Sequence, residues 1–183
     1  MTSSEYGRYW NVTLAERAES FECDNAMDGH TDVERWIRAI ALSVDAPVEV
    51  TYRWLCQFKI APYSYDWIDN IGRRSPKTLT AGAGDLAIDQ RFLVFRITAF
   101  AADDHITGRI TPGFDRLYGD LAVTYQVRPR GADTTRVVVA LAAAADSTPS
   151  RLRRRMLSLG DQIMMQRQLL NLRKLAESTA GHS

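Results

Sequence analysis

The pattern that most constrains this chain begins at Ser150. Leu152, Met156, Leu159 and Ile163 recur at spacings of four, three and four, and Met165, Leu169 and Leu172 extend a second row. That spacing places them along one side of an α-helix. The segment 150–178 therefore predicts a helix of about 25 residues, roughly 38 Å at 1.5 Å per residue. Its apolar side must be covered, and the other helical patterns in the chain are too short to cover it. It must lie across a sheet.

The rest of the sequence supplies that sheet. Asp32 to Val44 reads as one long strand, with Trp36, Ile40, Leu42 and Val44 on one parity and Ile37, Ala39 and Ala41 on the other. Asp45-Ala46-Pro47 reads as a helix start, with Asp45 as N-cap. Val50, Trp54 and Phe58 then carry a helix from Pro47 to Phe58, which Pro62 ends. Ser64 caps a second short helix, Tyr65 to Ile71, stopped by Gly72. Phe92 to Phe100 (Leu93, Phe95, Ile97 and Ala99 on one face), His105 to Ile110, Leu121 to Val127 and Arg136 to Ala145 follow as strands. The turn residues Asp103-Asp104 and Gly131-Ala132-Asp133 between them predict antiparallel pairing. Residues 1–30 read as an irregular arm with one helical turn near Thr13 to Ser20.

Length and charge narrow the function classes. The 183 residues suit one domain, 1–183, and 45% hydrophobic with 25% charged is an ordinary globular balance. Twenty-three basic against 22 acidic residues give a net charge of +1, without the basic excess expected of a nucleic-acid binder. Met1 to Asn11 lacks the apolar core of a secretory signal. No stretch approaches the roughly 18–20 apolar residues that span a bilayer, so stable membrane insertion is not expected. Cys23 and Cys56 make no disulfide framework, and the expected location is the cytoplasm with reduced thiols. Three histidines, His30, His105 and His182, show no metal-ligand spacing, and no cofactor is expected.

Several segments resemble a known family. The run Ala61-Pro62-Tyr63-Ser64-Tyr65-Asp66-Trp67-Ile68-Asp69-Asn70-Ile71-Gly72-Arg73-Arg74-Ser75-Pro76 is similar to a signature of bacterial, largely actinobacterial, SRPBCC-type proteins. So are Gly119-Asp120-Leu121-Ala122-Val123-Thr124-Tyr125, the tail from Met164 to Glu177, and the arm with Trp10, Glu16, Cys23 and Asp24. The resemblance covers most of the chain. It implies an α+β, START-like (Bet v 1-like, polyketide cyclase-like) helix-grip fold. In that fold a curved antiparallel sheet wraps a long C-terminal helix, and two short helices follow the first strand. It also implies a pocket for lipids, polyketides or other hydrophobic molecules, without a shared catalytic motif that would assign roles to residues here.

The candidate ligand-binding residues are Arg38, Tyr63, Tyr65, Asp66, Asp69, Asn70, Arg73 and Tyr125. On a helix Asp66, Asp69, Asn70 and Arg73 share one face, and this set suits the polar end of an apolar ligand. The same residues fit a structural account, with Asp66 at a helix N-terminus and Asp69 paired to Arg73. Arg38 shares the parity of Ile40 and Leu42; turned inward it needs a partner such as a ligand carboxylate or Asp66, turned outward it is solvated. Arg96 is expected to be solvated, and Cys56 to be a buried inert thiol.

Three functions fit. One is a carrier of a small hydrophobic molecule, with Ala39, Ala41, Ala140 and Ala142 leaving room against the helix. Another is a cyclase- or dehydratase-like enzyme using Asp66 or Asp69 with Tyr65 or Tyr125 for acid–base chemistry. The third is a protein-interaction module using Arg151 to Arg155.

Overall fold

The structure is a computed structural model that describes residues 9–30, 33–34, 39–63, 75–144 and 151–181, with side chains described at 10–30, 40–63, 75–116, 119–144 and 164–181. An arm comes first: β1 (Tyr9–Trp10), α1 (Leu14–Ala18) and α2 (Glu22–Asn25). β2 (Val33–Glu34), β3 (Ala39–Val44) and α3 (Val48–Cys56) follow, with a 3-10 turn at Gln57–Lys59. Next come β4 (Arg91–Phe92), β5 (Phe95–Ala101), β6 (His105–Ile110), α4 (Asp115–Tyr118), β7 (Leu121–Pro129) and β8 (Thr135–Ala144). The long helix is α5 (Arg151–Ala180), 30 residues, or about 45 Å.

Among the described residues the strands form one sheet in the order β1-β3-β8-β7-β6-β5-β4, with β2 also on β8. β1 runs parallel to β3; every other pair is antiparallel. The turns expected at Asp103-Asp104 and Gly131 to Asp133 join β5 to β6 and β7 to β8. The sheet curls, and a glycine sits at the bend. The β5–β6 register shifts between Ile97 and Ala99, and a Cβ on Gly108 would lie 2.9 Å from Phe95 Cβ and 3.0 Å from the Arg96 carbonyl oxygen. Only a residue without a side chain permits that approach.

The two faces of the sheet bury different side chains. Ile40, Leu42 and Val44 join Ile97, Ile106, Val123, Val127, Val137 and Val139 in one core, which α3 and Leu169, Leu172 and Ala176 of α5 cover. The opposite face carries Ala41, Ala122, Val138, Ala140, Ala142 and Ala144, packed under Phe21, Cys23 and Met27 of the arm. β8 is thus covered on both faces, which is why its sequence from Val137 to Ala144 is continuously apolar rather than alternating.

Charged pairs clamp the arm. Thr13 and Glu16 form a capping box at the start of α1. Glu16, only 3% exposed, also accepts from Arg136 Nε at 2.8 Å and Nη2 at 3.0 Å. The Arg136 hydrogen bond, opposed by burial, holds the Glu16 carboxyl down to about 2. Arg136 further donates to the Asn11 carbonyl at 2.6 Å. Arg128 grips Glu19 with both terminal nitrogens, at 2.8 and 2.5 Å, while lying 5.8 Å over the Phe21 ring. Farther along, His30 Nε2 meets Asp120 Oδ2 at 3.0 Å, and Arg109 holds the same carboxylate with two nitrogens.

Several expectations need correction. Of the strand expected from Asp32 to Val44, Val33–Glu34 and Ala39–Val44 are strand, and residues 35–38 lie outside the described residues. Phe92 to Phe100 is not one strand but the hairpin β4–β5, with Leu93 at φ +57° in its turn; Phe92 and Phe95, an odd step apart, both reach the core by reversing the chain. Asp45 does not cap α3. Pro47 holds the N-cap position, and the Asp45 amide instead donates to Glu177 of α5 at 3.1 Å. His30, at the end of the arm read as irregular, is fixed by partners 79 and 90 residues away.

Candidate functional site

The inner face of the sheet is graded in burial along its strands. At one end the chain reversal at Asp45, the start of β8 and the end of β7 come together with α3 and the C-terminal turns of α5. There Val44, Val127 and Val137 are fully buried, and Trp54 Nε1 of α3 donates to Thr179 of α5 at 2.9 Å. The other end is formed by the β4–β5 turn, the end of β6, the start of β7 and the end of β8. Here Phe95 and Ile110 are each 7% exposed, and Val94, Leu121 and Leu141 are only half-buried against the core. Met165, twelve residues before Glu177 in α5, is also half-buried, and about 18 Å of helix carries it toward this rim. The strand residues of the inner face are fully buried at the α3 end, and half-buried apolar side chains rim the other.

Between the ends lies an aromatic cluster. The Tyr125 ring meets Phe58 at 5.8 Å and Phe92 at 5.6 Å, both edge-on, and Tyr63 lies between Phe58 at 5.9 Å and Trp54 at 6.2 Å. Neutral amides serve the polar atoms. Tyr125 Oη donates to Gln168 Oε1 at 2.9 Å, and Gln168 Nε2 donates to the Pro62 carbonyl at 2.5 Å. Asn171 Nδ2 donates to the Tyr63 carbonyl at 2.7 Å. Gln57 Nε2 donates to Tyr63 Oη at 3.1 Å and to the Thr78 carbonyl at 2.9 Å. Three buried or half-buried amides thereby pin the chain at Pro62–Tyr63 to α5 and to the 3-10 turn, with Tyr63 at φ +55°.

Of the eight candidate residues, the structure describes Tyr63 and Tyr125, and it brings both into this cluster. Arg38, Tyr65, Asp66, Asp69, Asn70 and Arg73 lie outside the described residues. The reasoning from sequence missed Gln57, Gln168 and Asn171. Gln168 and Asn171 flank Leu169 and Leu172 on the apolar side of α5, and a polar residue beside such a stripe is the signal that marks them.

Other expectations about chemistry can be placed. Ala41, Ala140 and Ala142 do not line the inner face; they are the floor beneath the arm with Val138, because alternation along β3 and β8 sends Ile40, Leu42, Val137, Val139 and Leu141 inward. Cys23 and Cys56 are free and buried, and burial pushes their thiols up to about 11 and about 12. Burial also raises the Tyr52 hydroxyl, which lies one helical turn before Cys56. Arg96 is exposed, as expected, beside Asp89. Among the described residues the only buried charged side chains are Glu16 and Arg136, both under the arm, and no cluster of metal-ligating groups occurs. No helix among them is long and apolar enough to cross a membrane.

The chain matches no family model and no curated protein. Among solved structures, one from Thermobifida fusca aligns with a TM-score of 0.50 and 15% identity, covering 75% of this chain and 91% of that one. CalU16 from Micromonospora echinospora aligns at 0.46 and 12% identity, over 79% of this chain and 83% of its own. A norcoclaurine synthase from Thalictrum flavum aligns at 0.45 and 12% identity, over 81% and 96%. The curled antiparallel sheet, the strand order and the long C-terminal helix packed in its hollow make this a START-like (Bet v 1-like) helix-grip fold.

Proposed function

We propose that the chain binds a small apolar molecule between the inner face of its sheet and α5, entering at the rim of Val94, Leu121 and Leu141. The observation that carries this reading is the gradient of burial along the strands of the inner face, from the fully buried Val44, Val127 and Val137 to the half-buried Val94, Leu121 and Leu141. Water-exposed apolar surface that continues into an apolar interior favours an apolar ligand over solvent. The enzyme reading rests on Asp66 or Asp69, which lie outside the described residues.

The test is uptake of the uncharged fluorescent probe Nile red. The wild type is expected to take up the probe with a blue shift in emission. Leu141→Glu, which puts a charge on the rim, should abolish uptake while the circular dichroism melt stays within a few degrees of wild type. Undiminished uptake in that variant refutes entry at this rim. Mass spectrometry of small molecules retained by the purified protein then identifies the natural ligand.

A further inference from the structure

We propose that Tyr125 and Gln168 form the polar subsite for that ligand, and that the pair selects a neutral hydroxyl, as in a phenol or alcohol, over a ketone, ether or carboxylate. The inference rests on the apolar-ligand reading and adds the chemical class of the ligand's polar end. Tyr125 projects from the central strand β7, 2% exposed, and Gln168 meets it from α5, 4% exposed. The other inward residues of β7 are Leu121, Val123 and Val127, so among the described residues Tyr125 is the polar group that this strand offers a ligand on the inner face.

The donor and acceptor count sets the preference. Tyr125 donates its proton to Gln168 Oε1, and the other end of the Gln168 amide is engaged with the Pro62 carbonyl. A ligand hydroxyl placed between them accepts from Tyr125 and donates to Gln168 Oε1, so neither partner loses a bond. A ketone or ether oxygen accepts from Tyr125 but leaves Oε1 without a donor in an apolar interior. A carboxylate leaves the same orphan and adds a charge, and no described cation is buried on this face. Admitting the hydroxyl requires the two oxygens, now 2.9 Å apart, to separate, a movement that falls to the rotatable Gln168 side chain.

The experiment compares 2-naphthol with 2-methylnaphthalene, in which a methyl group replaces the hydroxyl. Affinities are measured by fluorescence titration for wild type, Tyr125→Phe and Gln168→Met. The ratio of the two affinities removes the general hydrophobic contribution. It is expected to fall about tenfold in either variant, the scale of one hydrogen bond to a buried partner, while 2-methylnaphthalene still binds. The substitutions sit on different elements, so one folded variant is enough. A ratio unchanged in both variants overturns the subsite and leaves the apolar reading standing. Failure of both probes to bind the wild type overturns the reading beneath it as well.

Discussion

Replacing Glu16 by glutamine removes the charge that the Arg136 guanidinium faces at 2.8 and 3.0 Å. Folding lowers the Glu16 carboxyl from 4.5 to about 2. At about 1.4 kcal/mol for each pH unit, the ionised group contributes about 3 kcal/mol of stability. The folded value is the depressed one, so this contribution is complete above about pH 5 and is lost as the pH falls from 4.5 toward 2. Removing one partner of a buried pair also strands the other charge, a cost of about 3–5 kcal/mol in comparable cases. Glu16→Gln should therefore unfold, or release its arm, about 3 kcal/mol more easily at pH 7. The deficit should shrink toward zero near pH 2, where wild-type Glu16 is itself becoming protonated. Urea titrations at pH 7, 4 and 2.5 measure it, and amide exchange in residues 13–25 shows whether the arm detaches first. A deficit equal at all three pH values, or none at pH 7, would refute the linkage between this carboxylate and the docked arm.

Three further outcomes are expected. Cys23 and Cys56, held near 11 and 12 by burial, should resist iodoacetamide at pH 8 in the native protein and react once urea unfolds it; rapid native labelling would contradict their burial. Ala142→Phe, beneath the arm, should cost about 1–3 kcal/mol through overpacking and leave Nile red uptake intact, whereas loss of uptake in a stably folded variant would place Ala142 on the ligand's side. Gly108→Ala should cost a similar 1–3 kcal/mol, roughly, because its Cβ has no room beside β5; a melting temperature equal to wild type would show that the bend relaxes.

Period and parity made much of this architecture legible in the sequence. The spacing of Met165, Leu169 and Leu172 gave the face that α5 buries, and alternation through Ile40, Leu42 and Val44 gave the inward side of β3. The helical turn read near Thr13 to Ser20 is α1. Long-range pairing was not readable, because nothing local at Glu16 points to Arg136, 120 residues away, or at His30 to Asp120. The alanines of β8 were ambiguous for a related reason: small residues leave room for a ligand or for a closely packed chain, and only the position of Phe21 and Met27 decides between them. The β4–β5 reversal was hidden because Leu93 adopts a left-handed backbone that its residue type does not advertise. Of the candidate site, tyrosines with strong burial were visible as types, but the amides serving them came from other elements.

The arm behaves as a second lid on the sheet, opposite to the helix. A chain shortened to begin at Asp32 would lose the cover over Ala41, Val138, Ala140 and Ala144 and leave Arg128 and Arg136 without Glu19 and Glu16. What remained would be a bare aliphatic sheet edged by unsatisfied cations, prone to stick to itself. Trimming this segment would therefore exchange a docked arm for precipitation.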